Sequence, residues 1–234
     1  MALQIFETDP DARPAPKVKS EYTRPAFTFR NGMARNRKPV KLDNWRVVAE
    51  ELEPLEAIAE LLGGTAEEYS ASTREPFHVL TDTDSVEIVI NGAGAVEERM
   101  ILWGPNGPIH ECDGVEFLSP ADAKGKPCGC PKTLAERKAW AQQGRGPKPN
   151  IPVTFRLAGL GYELGSGLLR ISAWTFLPDL DPLKAALAAI DGEALCTLEL
   201  EHISFINDKG EKIEYSKPKI TVQGAYADAI AEER

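Results

Sequence analysis

The sequence predicts an α+β fold: two mainly antiparallel sheet-plus-helix halves with a cysteine-rich segment inserted between them. Three observations carry that expectation. Short β-branched and aromatic runs are punctuated by Gly, Pro and Asn turns along most of the chain. Each half contains one helix with clear start and stop signals. Three of the four cysteines, Cys112, Cys128 and Cys130, fall between the halves. The expected division is a disordered leader at 1–22, an N-terminal α+β half at 23–100, a hairpin and cysteine-rich segment at 101–149, a C-terminal α+β half at 150–223 and a tail at 224–234.

The leader is rich in Pro and charge and is expected to be poorly ordered. "RPAFTFR" and "KPVKLDNWRVV" read as strands on either side of a loop at Asn31 and Gly32. "ELEPLEAIAELLGG" reads as a helix. Pro54 and two acidic residues sit at its start, Leu55, Ile58, Ala59 and Leu62 recur at helical spacing, and Gly63 and Gly64 end it. "PFHVLTD" and "SVEIVIN" are strands, and "ERMILWGPNGPIHEC" is a hairpin turning at 104–107. A short helical stretch, "LAERKAWAQQ", follows the cysteines and places Trp140 beside them, where core packing is the simplest role for the indole.

The Gly/Pro-rich "QGRGPKPNIP" reads as a hinge into the second half. There "VTFRLAGL" and "GLLRISAWTF" are strands, "DLDPLKAALAAIDG" is a helix, and "EALCTLELEHISFI" and "KIEYSKPKITV" form a hairpin turning at 207–210. The segment Glu51-Leu52-Glu53-Pro54-Leu55 matches Asp179-Leu180-Asp181-Pro182-Leu183 at an offset of 128, and Trp45 matches Trp174 at 129. A strand-strand-helix-strand-strand duplication accounts for this, although acidic residues and Pro at a helix start are also generic capping.

Charge and hydropathy narrow the function. No apolar run is long enough to span a bilayer, and the N-terminus lacks a basic leader followed by an apolar stretch. An intracellular protein is expected, with its cysteines as thiols or metal ligands rather than disulfides. The net charge of −9 argues against a chain that lives by gripping phosphates. Residues 13–41 are the exception: Arg13, Lys17, Lys19, Arg24, Arg30, Arg35, Arg37, Lys38 and Lys41 stand against Glu21 alone. Such an arm can touch nucleic acid or an acidic partner, or simply be solvated.

The segment "HECDGVEFLSPADAKGKPCGCP" carries the sharpest chemistry. Side chains two apart on a strand share a face, so His110 and Cys112 point the same way. Cys128 and Cys130 repeat that spacing. Two such pairs, facing each other, give a His-Cys-Cys-Cys tetrahedron that suits structural zinc. Cys196, in an apolar strand, reads as a core thiol.

Catalysis finds no support in these motifs. A zinc deaminase needs H-x-E and P-C-x-x-C, whereas His110-Glu111 and Pro127-Cys128-Gly129-Cys130 are each one residue short. No H-E-x-x-H helix, Walker loop or G-x-S-x-G elbow is present. His78 and His202 each stand alone in strands, and the Gly-rich 157–167 stretch leads from strand to strand as a hairpin loop.

Several phrases in order complete the picture: "GMARNRKPVKLDNWRVV", "AELLGG", "FHVLTDTDSVEIVI", "ERMILWGPNGPIHECDG", "GKPCGCP" and "PVTFRLAGLGYELGSGLLRISAW". Over residues 32–222 the chain resembles the actinobacterial and phage family of recombination directionality factors, the type used by Streptomyces temperate phages with large serine integrases. The resemblance implies a non-enzymatic protein of the bacterial cytoplasm that binds the integrase and turns it from integrative to excisive recombination of the prophage hybrid attachment sites. The expected target is the integrase C-terminal region within the integrase–DNA synaptic complex, with DNA contact indirect or weak and no membrane association.

The family's cysteine pattern falls on Cys112, Cys128 and Cys130. Where relatives place a further Cys, this chain has Arg145-Gly146-Pro147-Lys148-Pro149. The fourth ligand is therefore His110, with Asp113 or a water as alternatives. Two other readings compete: a nucleic-acid-binding zinc protein acting through the basic arm with Arg145 and Lys148, and a metal-dependent hydrolase.

Overall fold

Apolar alternation is the rule that builds this protein. The computed structural model describes residues 24–35, 38–69, 74–208 and 210–232; the expected leader at 1–22 lies outside them. In chain order, β1 (Phe27–Arg35) and β2 (Lys38–Ala49) precede helix α1 (Glu53–Leu62), then come β3 (Ala66–Glu68), β4 (Phe77–Leu80) and β5 (Ser85–Asn91). Next are β6 (Met100–Gly104), β7 (Gly107–Cys112), β8 (Phe117–Ser119), α2 (Leu134–Gln142) and β9 (Lys148–Pro149). The chain ends with β10 (Ile151–Leu157), β11 (Gly167–Ile171), α3 (Leu177–Ala188), β12 (Glu193–Ile206), β13 (Lys212–Ala225) and α4 (Tyr226–Glu232). Among the described residues the fold is mixed α+β with two sheets.

The larger sheet has nine strands in the order β13-β12-β5-β10-β11-β1-β2-β4-β3, all neighbours antiparallel except β1 and β11. Both halves of the chain supply it: β5 lies between β10 and β12, and β11 lies beside β1. Alternate residues face one core. Phe27 and Phe29, Trp45 and Val47, Val153 and Phe155, and Cys196 and Leu198 are all buried in it. Leu55, Ile58 and Leu62 of α1 and Leu180, Leu183 and Leu187 of α3 join the same cluster.

The sheet is strongly curled. β12 comes into contact with β2, and β13 with β1, although each pair is five places apart in the sheet order. The loop between β4 and β5 stitches the curl. Thr81 N donates to Trp45 O at 2.9 Å, Trp45 Nε1 donates to Asp84 O at 2.8 Å, and Leu200 N of β12 also donates to Asp84 O at 2.9 Å. Phe29 meets Trp45 edge-on at 5.5 Å and Phe155 at 5.4 Å between ring centroids, which fills the interior of the curl with interlocking aromatics.

Helix α1 starts and stops as its sequence dictates, with Pro54 in the first turn and Gly63 at its end. Gly64, at φ 90°, packs so closely on Leu80 that an added Cβ would lie 2.1 Å from the Leu80 carbonyl oxygen. Only glycine fits there.

Several expectations change. The loop at Asn31 and Gly32 is instead a bulge within β1, where the register shifts between Arg30 and Gly32. The second helix begins at Leu177, not near Asp179, which leaves Pro182 inside α3. Trp174 sits in a single 3-10 turn ahead of α3 rather than in a strand. The Gly/Pro hinge contains β9, which pairs with β6. No described helix is long and apolar enough to cross a membrane.

Trp45→Ala should test the stitch. It removes a fully buried indole and orphans a bond to the Asp84 carbonyl, so we expect a loss of about 3–5 kcal/mol, read as a lowered urea midpoint with little change in slope.

Candidate metal centre

Residues 100–149 contain a second, four-stranded sheet in the order β8-β7-β6-β9. Its apolar core is thin: Met100, Cys112 and Cys128 are buried, with Phe117, Cys130 and Trp174 packed against them. The four residues singled out by their spacing, His110, Cys112, Cys128 and Cys130, gather at this core.

His110 and Cys112 lie on one face of β7, as strand periodicity requires. Cys128 and Cys130 follow a loop that returns beside it: Phe117 N donates to Lys126 O at 2.9 Å and Cys128 N to Val115 O at 2.8 Å. Between the two cysteines Gly129 adopts φ 72°, a left-handed conformation that glycine takes without strain and that turns both sulfurs toward one point. The ligand atoms of His110, Cys112, Cys128 and Cys130 all lie within 4.8 Å of one another. Asp113, the alternative ligand, is used otherwise: its Oδ1 accepts from Val115 N and Glu116 N, both at 2.7 Å.

The distances suit a tetrahedral ion. Metal–sulfur bonds of about 2.3 Å and metal–nitrogen bonds of about 2.0 Å set S···S edges near ~3.8 Å and S···N edges near ~3.5 Å. Cys112 Sγ and Cys130 Sγ are 3.8 Å apart, and Cys130 Sγ is 3.5 Å from His110 Nε2. A disulfide needs about 2.05 Å, and all four cysteines are free thiols.

The electrostatics point the same way. Burial pushes the Cys112 thiol up to about 11, with Cys128 adding to the rise and the hydrogen bonds from Gly114 and Cys130 opposing it. Burial raises the Cys130 thiol further, with Cys112 and Cys128 both adding to that shift. Burial also lowers His110. Clustered thiols that resist ionisation alone become thiolates readily around a bound cation. These four residues can hold a metal.

A supporting residue escaped the sequence reading. Arg137 of α2 donates from Nε to Pro131 O at 2.6 Å and from Nη2 to Gly114 O at 2.7 Å. It thereby ties the end of each ligand loop to one guanidinium. The helix is itself fixed by a capping box, with Thr133 Oγ1 accepting from Glu136 N and the Glu136 carboxylate accepting from Thr133 N. That T-x-x-E signal was available in the sequence. Trp174 packs on the cysteines from the larger sheet's side of the chain, and Trp140 is half-buried against Gly146.

The other singled-out residues lie elsewhere. Cys196 is a fully buried core thiol in β12. His78 accepts from Arg46 Nε at Nδ1, 2.9 Å away, with Glu67 Oε1 3.0 Å from its Nε2, and His202 lies beside Ser216 at 2.6 Å. The 157–167 stretch connects β10 and β11, an antiparallel pair. No family model matches the chain, and no solved structure matches it.

Cys128→Ser should reduce bound metal from about one equivalent to near zero by elemental analysis and lower the melting temperature, because metal-binding energy is partly folding energy. Cys196→Ser serves as the control: it should destabilise the core while metal content stays unchanged. Arg137→Met leaves the ligands in place but frees two carbonyls. A roughly 10–100-fold loss of metal affinity in chelator competition is expected.

Proposed function

We propose that the protein is a non-enzymatic partner of a large serine integrase, which it switches from integrative to excisive recombination. The ordered run of phrases between residues 32 and 222 carries this reading. The proposed ion is structural zinc. Three sulfurs and one imidazole nitrogen suit that metal, and four protein ligands complete a tetrahedron, leaving no position for a reacting water. Bound there, zinc supplies cross-linking rather than Lewis-acid chemistry. His110 and Cys112 hold the hairpin end, Cys128 and Cys130 hold the returning loop, and Arg137 fixes both. This closed donor set disfavours the hydrolase alternative.

A directionality factor must bind one arrangement of the integrase–DNA synapse more tightly than another, since equal affinity shifts no equilibrium. An acidic body with a net charge of −9 suits docking on a DNA-binding enzyme, whose basic surfaces attract it at long range. The proposed contact is the integrase C-terminal region.

Recombination assays with the cognate integrase test this directly. Adding the purified protein should start recombination between hybrid sites and suppress recombination between the phage and bacterial sites. If neither reaction changes at saturating protein, the proposal is wrong.

A further inference from the structure

Away from the cysteine cluster, the outer face of the larger sheet carries positive charge that is only partly engaged in the fold's own contacts. Thr28 pairs with Val48 and Arg30 with Arg46 across β1 and β2, while Thr28 lies beside Leu168 of β11. These side chains therefore share the face turned away from the aromatic core. A cleft of about 350 Å³ opens over it, with the buried Thr28 and Val48 among its lining and Arg24, Arg30, Arg74 and Arg170 around it. Glu50 and Glu75 also line it, but Arg24 pairs with Glu50 at 3.1 Å and Arg30 pairs with Glu75. Arg74 and Arg170 are exposed, and among the described residues their side chains make no ion pair or hydrogen bond. Two uncompensated guanidinium groups thus converge on one cleft of an acidic protein.

Arg46 deepens the positive field behind it. It is 4% exposed, its guanidinium lies 3.9 Å from the centroid of the Tyr69 ring, and its Nη2 is buried without a hydrogen-bond partner. A guanidinium keeps its proton even when buried, so Arg46 is a fixed charge beside Arg30.

We propose that this cleft binds a phosphate group. Guanidinium groups on separate elements, Arg170 on β11 and Arg74 ahead of β4, suit a tetrahedral anion whose oxygens point in several directions. A carboxylate offers two coplanar oxygens and satisfies one fork at a time, which disfavours an acidic peptide. The volume fits a phosphate or a nucleotide and excludes larger ligands from full enclosure. The phosphate is carried either by a nucleic-acid backbone or by a free nucleotide.

This site is independent of the integrase reading and is tested without integrase. Full-length protein is titrated with a short labelled DNA duplex by anisotropy, and with inorganic phosphate and ATP by calorimetry, each at low salt. A polyglutamate peptide is the carboxylate probe. The paired change Arg74→Gln and Arg170→Gln removes charges that support no fold contact, and an unchanged melting curve verifies this. Binding of DNA that weakens roughly tenfold or more in the variant, with the log–log salt slope reduced by about 2, identifies a backbone phosphate. Binding of phosphate or ATP that is lost in the variant identifies a free one. No binding of any phosphate probe, equal affinity in the variant, or binding of polyglutamate alone each overturns the proposal.

Discussion

The burial of Trp45 is the constraint on which the larger sheet depends. Its ring packs edge-on against Phe29 of β1, which in turn meets Phe155 of β10, yet an indole N–H cannot be buried without an acceptor. The acceptor is the Asp84 carbonyl, which also receives Leu200 N from β12. One backbone oxygen therefore joins the interior of β2 to the far arm of the sheet. Thr81 adds a second connection, its Oγ1 donating to the carbonyls of Trp45 and Thr83. Flattening the sheet would separate these groups and strand a buried donor, so the curl follows from satisfying one aromatic residue.

The smaller sheet solves the opposite problem. It has too few apolar side chains to hold itself together, and small units in that position rely on a staple. The cysteines and histidine, clustered within 4.8 Å of one another, would supply one around a bound ion without adding bulk. His110 and Cys112 come from a regular strand and Cys128 and Cys130 flank a glycine turn, so a single ion held by them would span a hairpin and a loop. Arg137 works to the same end by hydrogen bonding, and the cysteine cluster gains its principal apolar contact with the rest of the chain from Trp174.

What the sequence reveals here follows the range of the interactions. Helix α1 was legible because Pro54, the acidic first turn and Gly63 act within a few residues. The clustering of His110 with the three cysteines was legible because strand periodicity puts His110 and Cys112 on one face and the same spacing recurs at Cys128 and Cys130. The bulge at Arg30 was not, since it answers to the register of β2 and leaves no mark beyond an ordinary Asn-Gly pair. The early start of α3 was hidden by Pro182, which resembles a helix opening although the chain is already helical. Arg137 was invisible for a different reason: its acceptors are backbone carbonyls, and any residue could have provided them. The placement of β5 between β10 and β12 depends on which strands meet, and periodicity does not encode that.

The metal-bearing segment leaves and rejoins the larger sheet at almost the same place. Val96 bridges Val153, Glu97 N donates to Pro152 O at 3.0 Å, and Asn150 N donates to Arg99 O at 2.9 Å. Entry and exit are thus held together by backbone bonds, with Val96 and Val153 packed into the core beneath them. Such a junction behaves as a socket. The closing bonds lie at the edge of β10, so the nine-strand registers are set outside the segment that they close. The segment is therefore joined to the curled sheet at one place, and the sheet serves as its frame.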